Sequence, residues 1–160
     1  MVQYILPKGF QRVRYYDLQA TATFKKWYEV MKSNDMDKLD ELLAEDVIFY
    51  SPVVYTPQKG KDITKMYLMA AGGVFGEGAK DEASDSNKSQ SNFKYIKEII
   101  GEKSALLEFE TEMDGVYVNG VDVISWNEEG KITEFKVIVR PLQAVNMLHQ
   151  KMQAMLESMK

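Results

Sequence analysis

Apolar side chains after Leu18 recur at three- and four-residue steps, so that Phe24, Trp27, Tyr28 and Met31 share one stripe and predict a helix to Lys32. Ser33-Asn34-Asp35 breaks the stripe, and Asn34 with Asp37 three positions on has the form of a helix-starting cap. A short second helix then turns Met36, Leu39, Leu42 and Leu43 inward. Val47 to Val54 is β-branched and aromatic and closes on prolines, so it reads as a strand leaving that helix. From Lys61 to about Phe75 the helical period returns, with Ile63, Met66, Tyr67 and Ala70 in register, and Gly72-Gly73 ends or frays the last turn.

Gly76 to Asn92, built of Gly, Ala, Ser, Asn, Asp and Lys, reads as a surface loop or a lid over a pocket. Beyond it the period changes from helical to alternating. Phe93, Tyr95 and Ile99 mark one strand; Leu107, Phe109 and Thr111 alternate with Glu108, Glu110 and Glu112 in the next. Asp114-Gly115 and Asn119-Gly120 both carry a hairpin signal, and Asn127-Glu128-Glu129-Gly130 turns the chain again. Phe135, Val137 and Val139 alternate with Glu134 and Lys136, and Pro141 opens a closing helix carrying Leu142, Val145, Leu148, Met152, Met155 and Leu156. Three helices, an antiparallel meander and a last helix make an α+β pattern, with room for a pocket where the meander curls around the helices. No repeat and no second domain is visible.

Composition narrows the chemistry. At 160 residues and 18.4 kDa the chain has the size of one domain. Zero cysteines exclude disulfides, thiolate metal sites and a thiol nucleophile, and a single histidine, His149, excludes multi-histidine metal sites. Twenty basic against 24 acidic residues give −4, which provides no basic field for nucleic acid. No apolar run is long enough to span a membrane, and Met1–Phe10 has no leader-like apolar core, so the cytoplasm is the expected location. Carboxylates, hydroxyls and aromatics are left to do any chemistry, with no cofactor expected.

Asp35-Met36-Asp37-Lys38-Leu39, Leu43-Ala44-Glu45-Asp46-Val47-Ile48-Phe49 and Val121-Asp122-Val123-Ile124-Ser125-Trp126 through Ile132 together resemble the nuclear transport factor 2-like superfamily, above all its SnoaL-like and ketosteroid-isomerase-like branch, from about residue 24 to the C-terminus. The resemblance implies a cone of curved antiparallel sheet wrapped on three N-terminal helices, with a C-terminal helix, a pocket at the wide end and a homodimer. The superfamily hosts isomerases, cyclases, epoxide hydrolases, dehydratases and plain binding modules, so the residues must decide between them. Where ketosteroid isomerases carry their aspartate base, this chain has Ser51 in Tyr50-Ser51-Pro52, and where they carry a tyrosine on the first helix it has Trp27. Asp122 matches their second aspartate, the one that donates a hydrogen bond when protonated. The Asp–Arg–Asp set of the superfamily's epoxide hydrolases is also incomplete: the arginines are Arg12, Arg14 and Arg140, and Val137 stands at the second aspartate's place. Leu6 to Tyr16 resembles a passage of insertion-sequence transposases and contains no catalytic residue, which implies a fusion scar and divides the chain into an arm, 1–22, and a domain, 23–160.

Asp122 interrupts an apolar strand, where a buried, unpaired carboxylate is costly. It is either a pocket acid with a raised pKa, set to hydrogen-bond a ligand oxygen, or a solvent-face residue paired with a lysine. Trp27, Phe49, Phe109 and Trp126 either line an apolar cavity or form plain core, and Ser51 has no histidine base within sequence reach but can serve as a hydrogen-bond donor. Tyr55, near the expected cone mouth, is a ligand-contact candidate, while His149 and the methionines of the last helix read as surface, interface or packing residues. The expectation is therefore a pocket protein for a small, largely apolar molecule. It is either a cofactor-free isomerase or dehydratase using Asp122 as acid or hydrogen-bond donor, or a non-catalytic binding or dimeric assembly module, with no nucleic-acid or membrane partner.

Overall fold

The computed structural model describes residues 18–33, 35–75 and 93–158; Asn34, the Gly76–Asn92 stretch and most of the arm expected at 1–22 lie outside them. Helices α1 (Leu18–Ser33) and α2 (Met36–Leu42) precede strand β1 (Leu43–Tyr50), the short β2 (Gln58–Lys59) and helix α3 (Lys61–Phe75). Strands β3 (Lys94–Ile100), β4 (Ser104–Met113), β5 (Val116–Trp126) and β6 (Ile132–Arg140) follow, and α4 (Leu142–Ser158) closes the domain.

On α1, Phe24 and Trp27 of the stripe are buried together with Val30, while Tyr28 and Met31 pack partly buried against the core. Helix α2 is capped one residue later than the Asn34–Asp37 spacing suggests. Asp35 sits in the extended region, and its Oδ1 accepts the backbone N–H groups of Asp37 at 3.1 Å and Lys38 at 3.3 Å. Strand β1 begins at Leu43 and ends at Tyr50, ahead of the expected Val47–Val54, because Leu43 and Ala44 are already core and the chain turns at Ser51-Pro52, where proline has no N–H to pair. Val53 and Val54 lie in the connection to β2.

The six strands form one curved sheet in the order β2-β1-β6-β5-β4-β3. β1 runs parallel to β6 and every other neighbouring pair is antiparallel, so the sheet is mixed. Register shifts at Tyr95/Lys97 and at Ser125/Trp126 bend the strands as bulges do. Leu107, Phe109, Thr111, Val118, Ile124, Trp126 and Phe135 project from the buried face against the helices.

Of the two hairpin signals, one makes a turn. Asp114 and Gly115 both take positive φ, 49° and 78°, as a two-residue hairpin requires. Asn119-Gly120 instead lies inside β5, paired with Glu110 and Phe109 on one side and with Arg140 and Val139 on the other. The glycine is there for space: a Cβ at position 120 would fall 2.4 Å from Cζ of Phe109 and 2.8 Å from the Ile138 carbonyl oxygen. On α4, Ala144, Leu148 and Met152 are buried, whereas Leu142 is 75% exposed at the helix start. Among the described residues no helix is long and apolar enough to cross a membrane.

Candidate functional site

Between α1, α3, α4 and the concave face of the sheet lies a cavity of about 80 Å³. Aromatic rings make two of its walls. Trp27 packs on Phe135 at 5.0 Å between centroids, and Phe135 on Phe49 at 6.1 Å. Opposite them Phe109 stacks on Phe93 at 5.1 Å and meets the edge of Phe75 at 5.7 Å. Val30, Leu39, Val137 and Met152 add aliphatic surface.

Asp122 interrupts this lining. It is 6% exposed, on the inward parity of β5 between Leu107 of β4 and Val137 of β6. No Lys, Arg or His lines the cavity among the described residues. Burial without a countercharge pushes its carboxyl up to about 7, and one hydrogen bond opposes the rise: the Tyr95 hydroxyl donates to Oδ2 at 2.7 Å. The Tyr95 oxygen in turn accepts the indole N–H of Trp27 at 3.2 Å. The three side chains form a directed relay, Trp27 to Tyr95 to Asp122, while Oδ1 of Asp122 has no partner among the described residues. A carboxyl titrating near 7 populates both forms at neutral pH, so this group can donate a proton through Oδ1 or accept one there.

The structure brings Trp27, Phe49, Ser51, Phe109 and Asp122 together around the cavity and places the other two candidates elsewhere. Tyr55 is 101% exposed, carried away from the cavity by the Pro52–Pro57 connection. Trp126 is buried against Phe24 in an edge-to-face contact at 5.5 Å, joining α1 to the end of β5. The Ser51 oxygen accepts the Val53 N–H at 3.2 Å, which sets the turn after β1. Tyr95 was not a sequence candidate. Its inward parity beside Phe93 was legible, but its partnership with a residue two strands away was not. No cluster of three or more His, Cys, Asp or Glu able to hold a metal occurs among the described residues.

No protein-family model matches the sequence, and no curated protein matches it. Solved structures do. A steroid delta-isomerase from Pseudomonas aeruginosa is 26% identical, with 89% of this chain and 94% of that one covered at a TM-score of 0.76. An uncharacterised bacterial protein with a cystatin-like fold, from Silicibacter pomeroyi, is 32% identical over 82% of this chain and 83% of that one, at a TM-score of 0.69. A nuclear transport factor 2-like protein of unknown function from Mesorhizobium loti shares the fold at 19% identity, covering 77% and 92% of the two chains with a TM-score of 0.59.

Proposed function

The chain belongs to the nuclear transport factor 2-like superfamily, in its ketosteroid-isomerase-like and SnoaL-like branch, and from that premise we propose that it binds a small, largely apolar molecule in the cavity and presents Asp122 to that molecule's oxygen. The observation that carries the proposal is the buried Asp122, held through Oδ2 by Tyr95 and unpartnered at Oδ1 on an otherwise apolar wall.

Protonated Asp122 donates from Oδ1 to a carbonyl or hydroxyl oxygen of the bound molecule. As negative charge grows on that oxygen the bond strengthens, because the surrounding side chains do not screen it as water does. If the proton transfers, the carboxylate left behind keeps the Tyr95 hydroxyl, whose orientation the Trp27 N–H maintains. The apolar rings hold the body of the ligand and exclude water. This is the equipment for a cofactor-free isomerisation or dehydration, in keeping with the steroid isomerase relative. Where the superfamily resemblance implies a separate base, Ser51 is tied to the turn after β1. That arrangement favours a second reading, a binding protein that holds its ligand unchanged.

Binding of a graded set of apolar ketones and their parent hydrocarbons tests the proposal. Asp122→Leu should weaken ketone binding by about tenfold or more, on the scale of a hydrogen bond to an ionisable group, and spare the hydrocarbons. Equal effects on both sets would overturn it. Asp122→Asn can still donate a hydrogen bond but cannot pass a proton, so turnover lost in that variant with affinity kept identifies an enzyme. Ligand retained through purification without turnover identifies the carrier. We extend the proposal to a homodimer, supported by Ile138 and Tyr117, which stand 53% and 48% exposed on the outward parity of the sheet beside Val121 and Val123. Native mass spectrometry reads both the assembly and any co-purified ligand.

A further inference from the structure

A second hollow, of about 240 Å³, lies between the β1–β2 connection, α3 and α4. Neighbouring residues line it and the inner cavity. Pro52 lines the inner space and Val53 the outer one. Phe49 lines the inner space, and its ring lies 5.3 Å from that of Tyr67, which lines the outer one. Met152 alone lines both. It is 6% exposed and projects from the buried stripe of α4, so one side chain is common to the walls of both spaces.

α3 and α4 pack against one another beside this partition, and at Gly73 the Met155 methyl occupies the space a Cβ would take, 2.9 Å from it. An unbranched methionine with three rotatable bonds is the adaptable element in such a wall. The outer hollow also differs in chemistry. His149, Gln153 and Glu157 repeat every four residues along one face of α4, and Gln153 donates to Glu157 at 3.1 Å. The outer hollow therefore carries donors and acceptors along α4, where the inner cavity is walled mainly by apolar side chains.

We propose that Met152 partitions one longer binding site, and that the protein takes an elongated molecule with its oxygen at Asp122, its apolar body in the inner cavity and a hydrogen-bonding end against His149, Gln153 and Glu157. The inference rests on the reading of the inner cavity as a ligand site. Met152 is then the residue that sets ligand length, because its side chain must swing aside for a chain to pass.

Straight-chain 2-alkanones of increasing length, with and without a terminal hydroxyl, are the probes, and their affinities are measured on wild type, Met152→Ala and Met152→Phe. Met152→Ala should tighten the long members by about tenfold relative to the short ones, the scale on which a few methylenes are discriminated in an apolar pocket. Met152→Phe should weaken the long members by a similar factor relative to the short ones, and the terminal hydroxyl should be tolerated only on long chains. Either variant suffices should the other not fold. Short ketones that bind in an Asp122-dependent way, with the same length profile in all three proteins, overturn the partition and leave the inner site standing. If no member binds any of the proteins, the reading of the inner cavity falls and the partition falls with it.

Discussion

The Tyr95 hydroxyl reaches Oδ2 of Asp122 at 2.7 Å from two strands away, spanning β4. The sheet register makes this possible. Tyr95 is paired with Phe109, Phe109 with Gly120, and Asp122 lies two residues beyond on the same face. Gly120, on the same face two residues before Asp122, has no side chain, and the Phe109 ring occupies the space a Cβ would take there.

Removing that hydroxyl should move the aspartate further from its ordinary range. The Tyr95 bond stabilises the ionised form and opposes the desolvation that raises the pKa to about 7. Tyr95→Phe should therefore lift it by about one pH unit or more, the scale of a hydrogen bond to a charged group. Trp27→Phe keeps an aromatic ring against Phe135 and loses only the N–H that orients Tyr95, so its effect has the same sign and is smaller. Carboxyl carbon shifts followed through a pH titration measure both, and a pKa unchanged in Tyr95→Phe would refute the relay.

Stability should fall as pH rises past the carboxylate range. Asp122 releases its proton near 3.8 when unfolded and near 7 when folded. Between those values the unfolded chain binds fewer protons than the native one, so stability is lost across the window and levels off above about 7. The whole displacement corresponds to roughly 4 kcal/mol, an upper figure. Asp122→Asn cannot ionise, so urea unfolding at acid and at alkaline pH should show a markedly smaller loss for the variant. Parallel losses in the two proteins would place the pH dependence elsewhere.

How much of this was legible depended on whether the signal was local. Lys61 and Phe75 bound α3 as the helical period indicates, and the strict alternation of β4 around Leu107, Phe109 and Thr111 set its buried face correctly. Asp122 could be singled out because it interrupts an apolar strand and matches an aspartate of the ketosteroid isomerases, but that it faces inward follows only from the sheet. The parallel pairing of β1 with β6 and the reach of Tyr95 depend on which strands become neighbours, and no single segment encodes that. Tyr55 misled for a related reason: its place near a proline turn suggested the pocket mouth, and the turn carries it outward.

The cap of α2 offers a direct check on a one-residue difference. Asp35 Oδ1 accepts two N–H groups that the helix itself cannot satisfy. Asp35→Ala should cost about 1 kcal/mol in chemical denaturation, the usual worth of such a cap. Asn34→Ala should cost clearly less; the reverse order would move the cap back to the position the sequence spacing suggests.

Gly120→Ala should be among the most damaging single-methyl additions in the domain. The new Cβ would lie 2.4 Å from the Phe109 ring and 2.8 Å from the Ile138 carbonyl oxygen, and neither distance is tolerable. The ring can move; the carbonyl belongs to the β5–β6 pairing and yields less readily. Overpacking of this kind costs about 1–3 kcal/mol, and a backbone obstacle puts the expected loss toward the upper end. Phe109→Leu in the Gly120→Ala background removes the Cζ contact and leaves the carbonyl, so it should recover part of the stability and not all of it. A displaced Phe109 would also disturb its stack on Phe93, beside Tyr95. The Asp122 titration should therefore shift in Gly120→Ala as well, whereas a change of stability with that titration unmoved would separate the packing role of the glycine from the site.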